Sequence, residues 1–243
     1  MDAAEIIPES ELFYFNNPQT SDPDLGPFSD LFRFKLLWMR GGWYFDVDTI
    51  CLAAVFPSSE RAWARECPEY HPRAIGPGQI AFPIGDPVVE ILYLRCLERS
   101  RNYTHREALG PNLITEVISE LHLPLDIGGS PDTFYPLRWI EMFKLVLSEF
   151  HEEVDRKAKN ATFLPIFQSF FEYSGIDLSK TPPRGSYLHQ FYEQLAPDLM
   201  SQDAYSDEQI WAKSREFILS KQAWAIPELV AVCGRSIITR LGI

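Results

Sequence analysis

Ser29-Asp30-Leu31-Phe32-Arg33, followed after an apolar run by Gly41-Gly42-Trp43-Tyr44-Phe45-Asp46-Val47-Asp48, is the stretch that decides how this chain folds. From Leu31 to Met39 only Arg33 and Lys35 interrupt the apolar residues. The run reads as a helix with Ser29 as its N-cap, because a serine oxygen can accept from the first unpaired N–H groups. Gly41 or Gly42 supplies the left-handed residue that commonly ends a helix. Beyond it the residues alternate as a strand does, so Trp43, Phe45 and Val47 point one way and Tyr44, Asp46 and Asp48 the other. Asp30 and Arg33 are three apart and share a helix face. Two carboxylates at a strand end suit a hard divalent cation such as Mg²⁺ or Mn²⁺, which prefers oxygen ligands. An acid, an arginine and two metal-binding acids are thereby expected in one place.

These residues resemble the DXD-motif sugar-binding region of capsular-polysaccharide and α-1,4-type glycosyltransferases, and more distantly the glucosylating domains of large bacterial toxins. Asp2-Ala-Ala-Glu-Ile-Ile-Pro8-Glu-Ser10 is similar to the segment leading into that motif. Gly110-Pro111 and Phe134-Tyr135-Pro136 are similar to weaker landmarks downstream. The likeness extends roughly over residues 2 to 190, with 28–52 its specific part. It implies an α/β fold of GT-A type, Rossmann-related, that binds a UDP- or GDP-sugar with Mn²⁺ or Mg²⁺. By the resemblance, Asp48 binds the metal directly, Asp46 contacts ribose, sugar or the metal shell, and Asp30 and Arg33 hold the donor sugar and pyrophosphate. A metal bridging the two phosphates neutralises the charge that develops on the nucleotide as it leaves. The implied acceptor is a glycan or a lipid-linked sugar in cell-surface or capsular polysaccharide synthesis.

Two departures from the family pattern qualify that expectation. Family members carry about sixty residues ahead of the point where this sequence starts, forming a first strand that grips the nucleotide base. A doubly wound sheet binds its ligand at the carboxyl ends of its strands, so an N-terminally truncated chain would have a damaged pocket. The family also has a late His-x-Trp-Asn motif whose histidine completes the metal shell. Here the matching run is Phe163-Leu164-Pro165-Ile166-Phe167-Gln168, placed by Gly175-Ile-Asp177 and Gly185-Ser186 after it, with Pro165 where the histidine stands. Proline cannot ligate through its side chain. A water or Gln168 is left to substitute.

Bulk properties agree with a packed domain. A chain of 243 residues can bury a sizeable core. A net charge of −12 argues against nucleic acid as a partner. The first 32 residues hold seven acids and no lysine or arginine, unlike a secretory or transit signal. No apolar stretch is long enough for a membrane span. A cytoplasmic protein, in possible peripheral contact with a membrane, is the expectation. Cys51, Cys67, Cys96 and Cys233 form no Cys-x-x-Cys pair and read as reduced thiols. The five histidines are scattered, and any one is a candidate for the missing ligand.

Two domains are expected, a GT-A-like one over 1–186 lacking its first strand region and a helical extension over 187–243. Residues 1–28 read as turn-rich. Residues 53–86, dense in proline and glycine, read as loop with short strands. Helices are expected from Asp86-Pro87, over 112–121, over 137–159 with a solvated face at 151–159, and over 187–199, 206–221 and 227–241. Ser206 and Gln209 have the spacing of a capping box. In the last helix Leu229, Val232, Ile237 and Leu241 fall near one another, as they would to pack back onto the domain.

Phe45-Asp46-Val47-Asp48-Thr49 also fits the Asp-x-Asp-x-Thr motif of haloacid-dehalogenase-like phosphatases, with Asp46 as nucleophile and Asp48 as acid and base. That reading leaves Ser29–Arg33 and Gly41-Gly42 without a role, and no lysine occurs between Asp48 and Asp86. A third reading is a degenerate, non-catalytic relative that at most binds a nucleotide sugar.

Overall fold

A computed structural model describes residues 3–16 and 23–243, apart from the side chain of Leu199. Asp2 and Pro18 lie outside the described residues. In chain order the first elements are β1 (Phe15–Asn16), β2 (Pro23–Asp24), α1 (Gly26–Arg40), β3 (Gly42–Phe45), β4 (Thr49–Cys51), β5 (Ala62–Arg65) and β6 (Ile75–Phe82). The helices α2 (Pro87–Arg99), α3 (Pro111–Glu120) and the short α4 (Pro131–Phe134) follow. After a 3-10 stretch over Trp139–Val146 come α5 (His151–Ala158), β7 (Phe163–Pro165) and α6 (Gln168–Ser174). The chain closes with α7 (Tyr187–Leu195), α8 (Asp207–Ser220), α9 (Gln222–Cys233) and α10 (Ser236–Leu241). Mixed helix and sheet agree with the α/β expectation. All three described sheets are antiparallel.

Contacts divide the chain into two units. The first holds residues up to Asp46, Val55–Pro68 and Pro72–Pro131. Its centre is the sheet β3-β6-β5, in which β6 is buried throughout. Short strands within loop were expected over residues 53–86; β5 and β6 lie there, and β6 is a continuous eight-residue strand. Glycine and proline disfavour a strand locally, but pairing on both sides and burial of Ile75, Ile80 and Phe82 override that preference. Leu31, Phe34 and Leu37 of α1 pack in the same core as Val88, Val89 and Leu92 of α2 and Leu113, Ile114 and Val117 of α3. In α2, Val88 and Leu92 are buried, whereas Leu94 is 53% exposed.

The helix of the signature starts earlier than expected. Gly26 and Pro27 open it, and Asp24 Oδ1 accepts from the Gly26 N–H at 2.7 Å. Ser29 is therefore not the N-cap, and its hydroxyl donates back to the Gly26 carbonyl at 2.7 Å. The end matches the expectation, with Gly41 at φ +64 accepting the reversal.

The second unit holds Val47–Ala54, Glu69–His71 and Asp132–Ile243. Strand β4 pairs with β7, Thr49 opposite Pro165 and Cys51 opposite Phe163. Its core joins Leu145, Val146, Phe150 and Leu164 to Phe170, Leu188, Ile210, Phe217 and Leu229. Residues 137–159 are not one helix, because 3-10 turns at Trp139–Val146 and Ser148–Phe150 precede α5. The capping box at Ser206 and Gln209 is present. The last expected helix is split at Gly234, and Leu229, Ile237 and Leu241 pack into the core as anticipated. Among the described residues no helix is long and apolar enough to cross a membrane. All four cysteines are free; Cys67 and Cys96 are buried, whereas Cys51 is exposed.

Candidate functional site

Arg33 is the centre of the site in the first unit. Only 5% exposed, it projects from α1 and is held by fixed acceptors. Its Nη1 donates to the Pro77 carbonyl at 2.9 Å, and its Nη2 donates to Ser29 Oγ at 3.0 Å. That placement explains Ser29 inside the helix: it positions the guanidinium one turn on. The same Nη2 lies 3.3 Å from Asp30 Oδ1 and 3.2 Å from Asp46 Oδ1. Arg33 also stacks over the Tyr44 ring at 4.8 Å, where the ring's negative face attracts a cation.

Alternation along β3 does what the sequence suggests. Trp43 and Phe45 stack on one face with planes 4° apart. On the other, the Tyr44 hydroxyl donates to Asp46 Oδ1 at 3.2 Å. The strand ends there, and Val47 and Asp48 form a turn, so the alternation does not carry through to Asp48. Two glycines let backbone approach the acids. A Cβ on Gly78 would come 2.7 Å from Asp46 Oδ2, and one on Gly110 would overlap the Asp30 carboxylate.

The charge at this cluster is unbalanced. One guanidinium faces two carboxylates, and burial dominates over Arg33's attraction at Asp30, raising its pKa to about 6. Burial likewise pushes the Tyr44 phenol up to about 12. The cluster is therefore poised to gain from further hydrogen-bond donors or positive charge.

Asp48 belongs to the second unit and is held there by backbone. Its carbonyl accepts from the Ile166 N–H at 2.8 Å, and its Oδ2 accepts from the Gln168 N–H at 3.0 Å. Residues 166 and 168 of the run thus lie against Asp48, the second acid of the motif. Gln168 reaches Asp48 through its main chain, and its side-chain amide donates to Glu172 at 2.8 Å instead. Phe167, between Pro165 and Gln168, has φ +46 and ψ +66, a conformation unfavourable for a bulky residue. Among the described residues no group of three or more His, Cys, Asp or Glu side chains is arranged to hold a metal.

Of the expected site residues, Asp30, Arg33 and Asp46 come together, and Asp48 is placed with Gln168. Sequence reasoning missed Gly78 and the Pro77 carbonyl, which sit in the stretch read as loop with short strands. Tyr44 was readable from its spacing to Asp46.

Residues 8–66 match the protein family described as glycosyltransferase sugar-binding region containing DXD motif. The matched stretch is narrower than the 2–190 of the resemblance and is under half of the chain. It includes α1, β3 and both acids, and it supports a transferase acting on nucleotide sugars. Comparison with curated proteins and with solved structures gave no match.

Proposed function

We propose that the chain is a metal-dependent glycosyltransferase of GT-A type that moves a sugar from a UDP- or GDP-sugar to a glycan or lipid-linked acceptor. The observation that carries this reading is Arg33 fixed between Asp30 and Asp46, inside the stretch that matches the sugar-binding family. A haloacid-dehalogenase-like phosphatase would need Asp46 as an in-line nucleophile. Here Tyr44 and Arg33 both engage Asp46 Oδ1, which suits a carboxylate that orients hydroxyls.

The residues fit a hard cation bound through one or two carboxylates. Asp48 is half-buried, offers oxygen, and is oriented by the Gln168 N–H. Mg²⁺ and Mn²⁺ accept so few protein ligands when substrate phosphates and water fill the remaining positions. Bound there, the ion supplies charge neutralisation for the departing diphosphate. Asp48 would hold it, and Asp46 would meet the ribose. Arg33 and Asp30 orient the donor sugar, with Arg33 balancing phosphate charge.

Calorimetric titration of UDP, then GDP, with and without Mn²⁺ tests this. Binding that requires Mn²⁺ and is lost in Asp48→Ala is the expected result. Equal binding by the folded variant removes Asp48 from the site, and no nucleotide binding by the folded wild type overturns the donor reading.

A further inference from the structure

The second unit contains an open cavity of about 550 Å³ lined by Gln168, Phe171, Glu172, Asp177, Leu178 and Ser179, with Gly175 at its rim. Its size is in the range of small-molecule sites. We propose that this cavity is the acceptor subsite and takes a neutral, polyhydroxylated sugar; the assignment as acceptor subsite rests on the donor reading above.

Position is the first argument. Gln168 gives its backbone N–H to Asp48 and its side chain to the cavity wall, so one residue joins the acid proposed to hold the metal to this hollow. A sugar acceptor has to reach the bond that breaks beside the metal-bound diphosphate.

Chemistry is the second. The lining includes two carboxylates, an amide and a hydroxyl together with the apolar Phe171, Ile176 and Leu178. Carboxylates accept strong, charge-assisted bonds from hydroxyl donors, and the apolar lining residues suit the C–H face of a sugar ring. Gln168 and Glu172 are already bonded at 2.8 Å, which fixes both head groups. Asp177 is fixed in turn by the Ser179 N–H at 2.9 Å.

Charge chooses the class. Among the described residues no lysine or arginine lines the cavity. The neighbouring cations are engaged, Lys213 with the Gly175 carbonyl at 2.6 Å and Lys180 with Asp203 at 2.6 Å. A phosphorylated or carboxylated acceptor would meet two acids without compensation. A neutral one meets hydrogen-bond partners only.

Saturation-transfer NMR of the full chain with the methyl glycosides of glucose, galactose and mannose, without nucleotide, reads the subsite directly. At least one glycoside should bind wild type. Glu172→Ala/Asp177→Ala should weaken it at least about tenfold, since each charged hydrogen bond is worth about 1.5–3 kcal/mol. Ser179→Trp, at an exposed position, should block it with the fold intact by circular dichroism. Both variants should keep Mn²⁺-dependent nucleotide binding. No glycoside bound by wild type, or equal binding by Ser179→Trp, overturns the proposal, as does tighter binding of glucose 6-phosphate than of methyl glucoside. Glycosides bound with no nucleotide bound would instead sink the donor reading and leave a sugar site.

Discussion

Two buried ionic clusters, one in each unit, use the same kinds of residue and reach opposite states. In the second unit Glu141, 1% exposed, is fully met. Its Oε2 accepts from the Arg138 N–H at 3.0 Å, and its Oε1 from Lys144 at 2.8 Å and Lys157 at 3.0 Å. Those lysines and the Arg138 N–H outweigh burial and hold the Glu141 carboxyl below its ordinary value, while Lys144 is pushed up despite burial. In the first unit Asp30 shares one guanidinium with Asp46, and its pKa is raised to about 6. Glu141 has two lysines at hydrogen-bond distance; Asp30 shares the guanidinium beside it with Asp46. A buried charge is stable when paired and bonded, so the balanced cluster reads as structure and the unbalanced one as a candidate for function.

The sharpest way to break this comparison is Glu141→Ala. It leaves Lys144 buried without its main partner and should cost about 3–5 kcal/mol in a urea melt. A loss under about 1 kcal/mol would mean that the two clusters do not differ as argued.

Asp30→Asn should act in the opposite direction. Between pH 3.8 and about 6 the folded protein keeps a proton on Asp30 that the unfolded chain has released, so stability falls as pH rises through that window. The variant should lack that fall and gain up to about 3 kcal/mol on wild type at pH 8, relative to the difference at pH 3. For Glu141 the sign reverses, and its contribution is lost as pH falls below 4.5. Parallel pH profiles for wild type and Asp30→Asn would remove the raised acid from the account.

Gly110→Ala sharpens the geometry of the same cluster. A methyl there overlaps the Asp30 carboxylate, and overpacking of this kind costs about 1–3 kcal/mol. Unchanged thermal stability would show that the backbone does not confine the acid. The smallest effect is expected for Lys159→Ala, whose pair with Asp155 is exposed, at about 0.5 kcal/mol or less. A larger loss by denaturant titration would blur the line between buried clusters and surface pairs.

What the sequence disclosed follows from the range of the forces involved. The Gly41 stop, the alternation of Trp43, Tyr44, Phe45 and Asp46, and the Asp86-Pro87 helix start are local, and all hold. The start of α1 was misplaced because Ser29 serves Arg33 and the Gly26 carbonyl, a use its residue type does not reveal. Short strands were read in this region, but the full length of β6 was hidden because its Gly-Pro-Gly stretch is a poor strand until β3 and β5 flank it. Glu153 and Lys157 looked like part of a solvated face, yet both bond into the Glu141–Lys144 cluster, which depends on contacts distant in the chain. Asp48's partner is a backbone N–H 120 residues away, and no side-chain pattern announces it.

The pairing of β4 with β7 sets an order of events in synthesis. Thr49 leaves the ribosome well before Pro165, its partner in the ladder. The sheet β3-β6-β5 and helices α2 and α3 are complete once residue 120 has emerged. Counted from their own emergence, residues 49–51 wait as an unpaired strand edge for more than a hundred further residues, about forty of them after residue 120. Such an edge recruits other chains, so the nascent protein is most vulnerable to aggregation before β7 arrives. A fragment ending at residue 131 would make that interval permanent.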